Sequence, residues 1–135
     1  MYKNLDFSLG FFKFYLDSLD ENLLHLEEWI DAPEYGFMDG NSYCSLMLYS
    51  IVDLHLYLYW FNVEMTKSEL TDKIAETVSF YIKQLWVCAV NLTLYMGKTL
   101  ELINYQTAKS RCKKLKDVIE KFRFKLSGFE EEKQK

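Results

Sequence analysis

The chain has 135 residues, of which 50% are hydrophobic and 17% aromatic, and its formal net charge is −4 at pH 7. This length is enough for one domain with a sizeable core, and the high apolar content excludes wholesale disorder. Only one proline and five glycines are present, so few residues interrupt regular structure, which favours long helices.

The three cysteines, Cys44, Cys88 and Cys112, are far apart and odd in number. This spacing excludes a disulfide framework and a Cys-x-x-Cys metal motif, and we expect a reducing, cytoplasmic setting. Each cysteine falls on a helical apolar stripe, so we predict that all three are buried.

Neither export nor a membrane span is expected. The N-terminal apolar stretch contains Asp6 and Lys13 and has no small-residue cleavage site, so the sequence predicts no signal peptide. Residues 43–63 come closest to a membrane span. Polar residues dilute that stretch, and a charge is costly inside a bilayer; the polar residues are Ser45, Ser50, Asp53, His55 and Asn62.

The first predicted helix covers residues 4–31. Its apolar residues recur at alternating spacings of four and three, which is a heptad seam that packs against other helices. The seam consists of Leu5, Leu9, Phe12, Leu16, Leu19, Leu23, Leu26 and Ile30. Pro33 ends this helix. We predict a loop over residues 33–42, with Asn41 or Ser42 capping the next helix.

The second predicted helix covers residues 42–65, although the alternation from Asp53 to Trp60 resembles a strand. An apolar stretch of this length is too long for an ordinary strand, and a helical seam runs through all of it. That seam consists of Cys44, Met47, Ile51, Leu54, Leu58, Phe61 and Met65.

The opposite side of this second helix is also apolar, with Val52, Leu56, Trp60 and Val63 in positions that face away from the seam. A helix that is apolar on both sides needs cover on both sides. The outer side of a helix in a four-helix bundle normally meets water. We therefore predict that these four residues form a homodimer interface or a surface that binds a protein partner.

Asp53 and His55 lie on opposite flanks of the seam, because two steps of about 100° separate them by about 200°. They cannot form a catalytic pair with each other. Ser50 and Tyr57 share the flank of Asp53 and could donate hydrogen bonds to it. We interpret Asp53 as a buried, hydrogen-bonded residue that fixes helix register. The alternatives are a ligand-binding or catalytic role and a place in an oligomer interface.

The third predicted helix covers residues 67–96 and opens with a capping box from Thr66 to Glu69. Residues 98–105 could prolong either this helix or the next one. The third seam consists of Ile74, Val78, Tyr81, Leu85, Cys88, Leu92 and Tyr95.

The fourth predicted helix covers residues 106–127 and ends at Gly128 in a left-handed stop, with Phe129 packed back on the last turn. Its seam consists of Ala108, Cys112, Leu115, Ile119, Phe122 and Leu126. Four long helices with short connections predict an all-α, antiparallel four-helix bundle in a single domain, 1–128. We expect residues 129–135 to form a charged, flexible tail.

Charge is distributed unevenly: residues 1–106 hold fifteen acidic and six basic side chains, whereas residues 107–127 hold eight basic and two acidic ones. The acidic face of the first helix comprises Asp17, Asp20, Glu21, Glu27 and Glu28. The basic surface of the fourth helix includes Lys109, Lys113, Lys114, Lys116, Lys121 and Arg123. An acidic face steers basic protein partners, and a basic one could contact nucleic-acid phosphates. Either could equally be a solvated helix face.

No motif in the sequence predicts catalysis or a cofactor. Glu21, His25 and Glu28 share one helix face, but it is an outward one, whereas di-iron bundles use inward Glu-x-x-His pairs, so no metal is expected. We expect a small interaction protein that occludes a protein partner, as inhibitors, antitoxins and immunity proteins do. The alternatives are a nucleic-acid-associated regulator that uses residues 107–127, and a bundle that binds a small apolar ligand.

Overall fold

A computed structural model describes residues 3–33, 39–98 and 100–133, and four long helices account for most of them. A short 3-10 turn, Leu100–Leu102, precedes the last helix. The helices are α1 (Lys3–Asp31), α2 (Gly40–Glu64), α3 (Glu69–Met96) and α4 (Tyr105–Lys133). The predicted all-α bundle is confirmed, while residues 34–38 of the predicted loop lie outside the described residues.

Neighbouring helices run antiparallel in a closed ring in which α1 contacts α2 and α4, and α3 contacts the same two. Near the start of α1, the Ser8 hydroxyl donates to the Met65 sulfur just beyond the end of α2, at 3.8 Å. On the other side of α1, Lys13 pairs with Glu130 near the end of α4, at 2.8 Å. Each helix therefore has an inner side in the core and an outer side that faces away from it.

The predicted seams of α1, α2 and α4 form the buried core, and only Ile30 and Met65 among them are half-buried. The seam of α3 is partly wrong. Ile82 and Ala89 are buried where the sequence analysis placed Tyr81 and Cys88. Apolar residues occupy both pairs of adjacent positions, so periodicity alone does not distinguish them.

Tyr81 and Cys88 are half-buried instead, on the side of α3 that faces α4. The Tyr81 ring stacks on Phe122 of α4 with 5.2 Å between ring centroids. The expectation that all three cysteines are buried is therefore wrong for Cys88.

Two predicted helix starts are also wrong by a few residues. The cap of α2 is Asp39, whose carboxylate accepts a hydrogen bond from the Ser42 amide at 2.8 Å. The capping box of α3 is formed by Ser68 and Thr71, which exchange backbone-to-hydroxyl hydrogen bonds of 2.8 and 3.1 Å. Several hydroxyl and carboxylate residues precede each helix, and any of them can cap an orphan amide.

α4 continues through Gly128 to Lys133, so the predicted left-handed stop is wrong. No glycine among the described residues has a positive φ. Phe129 is buried, and Glu132 pairs with Lys73 of α3 at 3.4 Å. These tertiary contacts hold the last turns in a helix, including residues 129–133 that the sequence analysis assigned to a tail. Residues 134 and 135 lie outside the described part of the chain.

By length and composition alone, α2 is apolar enough to cross a membrane. The core helix of a bundle meets the same criteria, and 39% of the most apolar window of α2 is buried among the other helices. The inner seam of α2 packs against α1 and α3 throughout its length.

Because Gly128 lies inside α4, we predict that Gly128→Ala stabilises the protein by about 0.5–1 kcal/mol, since alanine favours a helix more than glycine does. A Cβ atom at Gly128 would meet no atom within 4 Å. Urea denaturation measures the change.

The matched control is Gly40→Ala, whose Cβ would lie 2.9 Å from the Trp29 ring and 3.0 Å from Met96. We expect this substitution to destabilise the protein by about 1–3 kcal/mol through overpacking. If Gly128→Ala destabilises the protein, Gly128 has the left-handed conformation predicted from the sequence and the helix does not continue through it.

Candidate protein-interaction surface

α2 carries a second heptad seam on its outer side, which we call the outer seam. It consists of Tyr49, Val52, Leu56, Tyr59 and Val63, again spaced by three and four residues. All five side chains are exposed, with exposed fractions of 40% for Val52, 60% for Leu56 and 61% for Val63. Three of the four predicted interface residues therefore lie on this seam.

The fourth predicted residue, Trp60, lies beside the outer seam on the side that faces α1. Its ring stacks on Tyr57 with 5.2 Å between centroids, and Tyr57 stacks on Phe11 of α1 at 5.1 Å. Phe14 extends this aromatic cluster through Tyr15. Trp60 is 41% exposed and Phe14 is 62% exposed, so the apolar surface continues from α2 onto α1.

On its other side, the outer seam borders a groove of about 540 Å³ between α2 and α3. Its walls are mainly apolar, and His55 and Lys83 are the polar residues among them. The lining residues are Ile51, Val52, His55, Ile82, Lys83, Trp86 and Val87. The contribution of α3 was not predicted from the sequence, although Trp86 and Val87 lie off the seam of α3 and could have indicated an outward apolar patch.

Asp53 and His55 are both exposed. His55 borders the groove on the α3 side, as the helical spacing predicts for the flank opposite Asp53. Asp53 has no hydrogen bond or ion pair within the described residues. The interpretation of Asp53 as a buried, hydrogen-bonded residue is therefore wrong. Ser50, which was expected to donate to it, instead contacts Ser18 of α1 at 3.2 Å.

The acidic face of α1 lies beside the basic side of α4. The guanidinium of Arg123 donates to Asp17 at 2.6 Å and to Asp20 at 2.9 Å. Lys109 donates to Asp31 at 3.1 Å. Hydrogen bonds from Lys109 and Tyr105 hold the pKa of Asp31 below its usual value. Two of the six named basic residues thus contact carboxylates of their own chain.

Most of the other residues of the acidic and basic surfaces are exposed to solvent. Glu21 and Glu28 flank His25 on an exposed face, with oxygen-to-nitrogen distances of 3.8 and 3.6 Å. Glu27 is half-buried, and its backbone carbonyl accepts a hydrogen bond from Lys109 at 3.5 Å. Of the basic residues named on α4, Lys113, Lys114, Lys116 and Lys121 are exposed.

The two buried cysteines are poor nucleophiles. Burial raises the thiol pKa of Cys44 to about 11 and that of Cys112 to about 12, so neither forms a thiolate nucleophile near neutral pH. The described residues contain no group of three or more His, Cys, Asp or Glu that could hold a metal ion. The outer seam and its two flanks form an exposed apolar surface that spans α1, α2 and α3.

Comparison with protein-family models, curated proteins and solved structures gives no match for this chain.

The contact of Arg123 with α1 predicts an energetic coupling between Arg123→Met and Asp20→Asn of about 0.2–1 kcal/mol at low ionic strength, which is typical of partly exposed ion pairs. Urea denaturation of both single variants and the double variant gives this value. Because salt screens exposed charges, we expect the coupling to shrink in 1 M NaCl.

Arg123→Met combined with Glu76→Gln is the matched control, since Glu76 is exposed on α3 and has no contact with Arg123. Their effects should add. A coupling to Asp20 that is zero at low salt would contradict the ion pair.

Proposed function

We propose that this chain is a non-catalytic interaction protein that binds another protein chain through the outer seam of α2. The carrying observation is the run of five exposed apolar residues on a helix whose other side fills the core. Water-exposed apolar patches that continue onto neighbouring elements are rare in monomeric proteins and mark interaction sites. Binding through this surface occludes the partner, which is how inhibitors, antitoxins and immunity proteins act.

The composition of the surface supports this proposal. Tyrosine and tryptophan supply most of the binding energy at many interfaces, where they lie near the centre and are surrounded by weaker contacts. Tyr59 and Trp60 adjoin Leu56 in the middle of the outer seam. The aromatic cluster and the groove lie on either side of it, so a partner helix placed on the seam would contact apolar side chains on both flanks.

The acidic face of α1 supports partner binding less well. The carboxylates of Asp17 and Asp20 already accept hydrogen bonds from Arg123 of the same chain. A basic partner would have to displace that guanidinium before it could bind them. Charge on this face is therefore better suited to stabilising the α1 and α4 pair than to recognising a partner.

A photoreactive benzoylphenylalanine at position 56, introduced in place of Leu56, tests the proposal in cells of the native host. We expect light to produce covalent adducts between this chain and a protein, because the outer seam is covered in the complex. Mass spectrometry identifies the chain that is attached.

The matched control carries the same probe at Lys116, which is exposed on α4. A second control combines the probe at 56 with Val52→Glu and Val63→Glu, which place charge on the seam. We expect few adducts from either control. Equal adducts at positions 56 and 116, or none at 56, would refute the proposal.

A further inference from the structure

The outer seam is symmetric about Leu56. Tyr49 lies seven residues before Leu56 and Val63 seven residues after it, while Val52 and Tyr59 lie four before and three after. A two-fold axis perpendicular to α2 at Leu56 therefore superposes the seam on an antiparallel copy of itself. In such an isologous contact, a residue i of one copy contacts a residue j of the other, and residue j of the first copy contacts residue i of the second.

The same axis gives Asp53 a hydrogen-bond donor. A perpendicular two-fold axis brings the α1-facing side of one helix onto the α1-facing side of the other. Asp53 and Trp60 both lie on that side, three residues before and four residues after Leu56. At a rise of about 1.5 Å per residue, Asp53 of one copy lies within about 1.5 Å, along the helix axis, of Trp60 in the other.

Within the described part of the chain, neither Asp53 nor Trp60 has a hydrogen-bond partner for its side chain. An indole N–H is a donor only, and an ionised carboxylate is an acceptor only. The antiparallel contact would form this hydrogen bond twice.

The charges of α2 also favour an antiparallel copy. α2 contains no lysine or arginine, and its acidic residues are Asp53 and Glu64. In the antiparallel contact the two Asp53 residues are about 9 Å apart along the axis, so the two carboxylates do not face each other directly. A parallel contact would place Asp53 against the apolar Leu48 of the copy, as flanking positions pair in parallel coiled coils.

The extent of the apolar surface suits a dimer. From Tyr49 to Val63 the outer seam is about 21 Å long, and a stable interface needs about 800 Å² from each partner. One helical stripe is too narrow for that area. The exposed Phe14 in the aromatic cluster on one flank, and Trp86 and Val87 in the groove on the other, widen the surface to three helices.

We propose that a second copy of this chain covers the outer seam, with the two α2 helices antiparallel about a two-fold axis at Leu56. The Trp60 indole N–H of each copy donates a hydrogen bond to the Asp53 carboxylate of the other. This inference rests on the proposed function, since it names the chain that occupies the same surface. A foreign partner would then have to displace the second copy.

Disulfide trapping tests the contact and its register in the purified protein. The background variant is Cys88→Ser, which leaves the two buried thiols Cys44 and Cys112. Leu56→Cys places a thiol on the two-fold axis, so oxidation should form a disulfide between the two copies. The linked chains are detected by their doubled mass under non-reducing conditions. We expect at least about tenfold more joined chains than from Lys116→Cys, because pairing in a complex raises the effective thiol concentration.

Tyr49→Cys and Val63→Cys establish the direction of the helices. Each variant alone should stay unjoined, because its two thiols would lie about 21 Å apart along the helix axis. A mixture of the two variants should form a mixed disulfide. Joining of Tyr49→Cys to itself would indicate a parallel contact and overturn the proposal.

A small ligand or a different protein on the outer seam would give different results in these experiments. If Leu56→Cys stays unjoined, and native mass spectrometry shows a monomer with extra bound mass, a small ligand occupies the groove and the second copy is refuted. If the photoreactive probe at Leu56 captures a different protein and no disulfide dimer forms, the proposed function holds while this inference fails. Failure of both experiments refutes both.

Discussion

A ring of four helices can cover only one side of each helix, and α2 is apolar on both sides. The inner side of α2 fills the core together with seams of the other three helices. Its outer side presents Tyr49, Leu56 and Tyr59 to solvent, and the helix has no lysine or arginine to offset them. Folding of a single chain leaves this side of α2 exposed, and the proposal that another protein chain covers α2 rests on that exposure.

The contact between α1 and α4 has a different physical character. Arg123 bridges Asp17 and Asp20, and Lys109 reaches Asp31, about three turns beyond Asp20. These ion pairs lie at the edge of a core that is already packed, so each is worth about 1 kcal/mol or less. They bring the acidic and basic halves of the sequence side by side, which reduces the field that either half projects toward a partner.

Much of the fold could be predicted from the sequence because the heptad seams are long. The seams of α1 and α4 each keep one unbroken spacing of three and four, and this spacing selects the buried residue even where α1 offers an apolar neighbour, as with Phe11 beside Phe12. α3 offers Tyr81 beside Ile82 and Cys88 beside Ala89, and only packing against α4 decides between them. The helix through Gly128 likewise depends on contacts of Phe129 and Glu132 that are distant in sequence.

The candidate surface was only partly predictable. The apolar residues Val52, Leu56 and Val63 follow from helical spacing alone, because that spacing places them opposite the inner seam. The flanks do not, since they depend on which helices lie beside α2. Trp60 acquires its stacking partner from the same helix, whereas the cluster with Phe11 and the groove with Trp86 require the bundle to be assembled. Asp53 was misassigned because its flank extends beyond the edge of the core into solvent.

Sedimentation equilibrium of the purified chain over a wide concentration range tests most directly whether the outer seam is covered by a second copy. We predict twice the chain mass of 16.2 kDa for the wild-type protein and a single chain mass for Leu56→Lys. We again predict twice the chain mass for Phe124→Lys, which alters an exposed phenylalanine on α4, the helix diagonally across the ring from α2. A wild-type protein that stays at one chain mass, or a Leu56→Lys variant that remains double, would contradict this prediction.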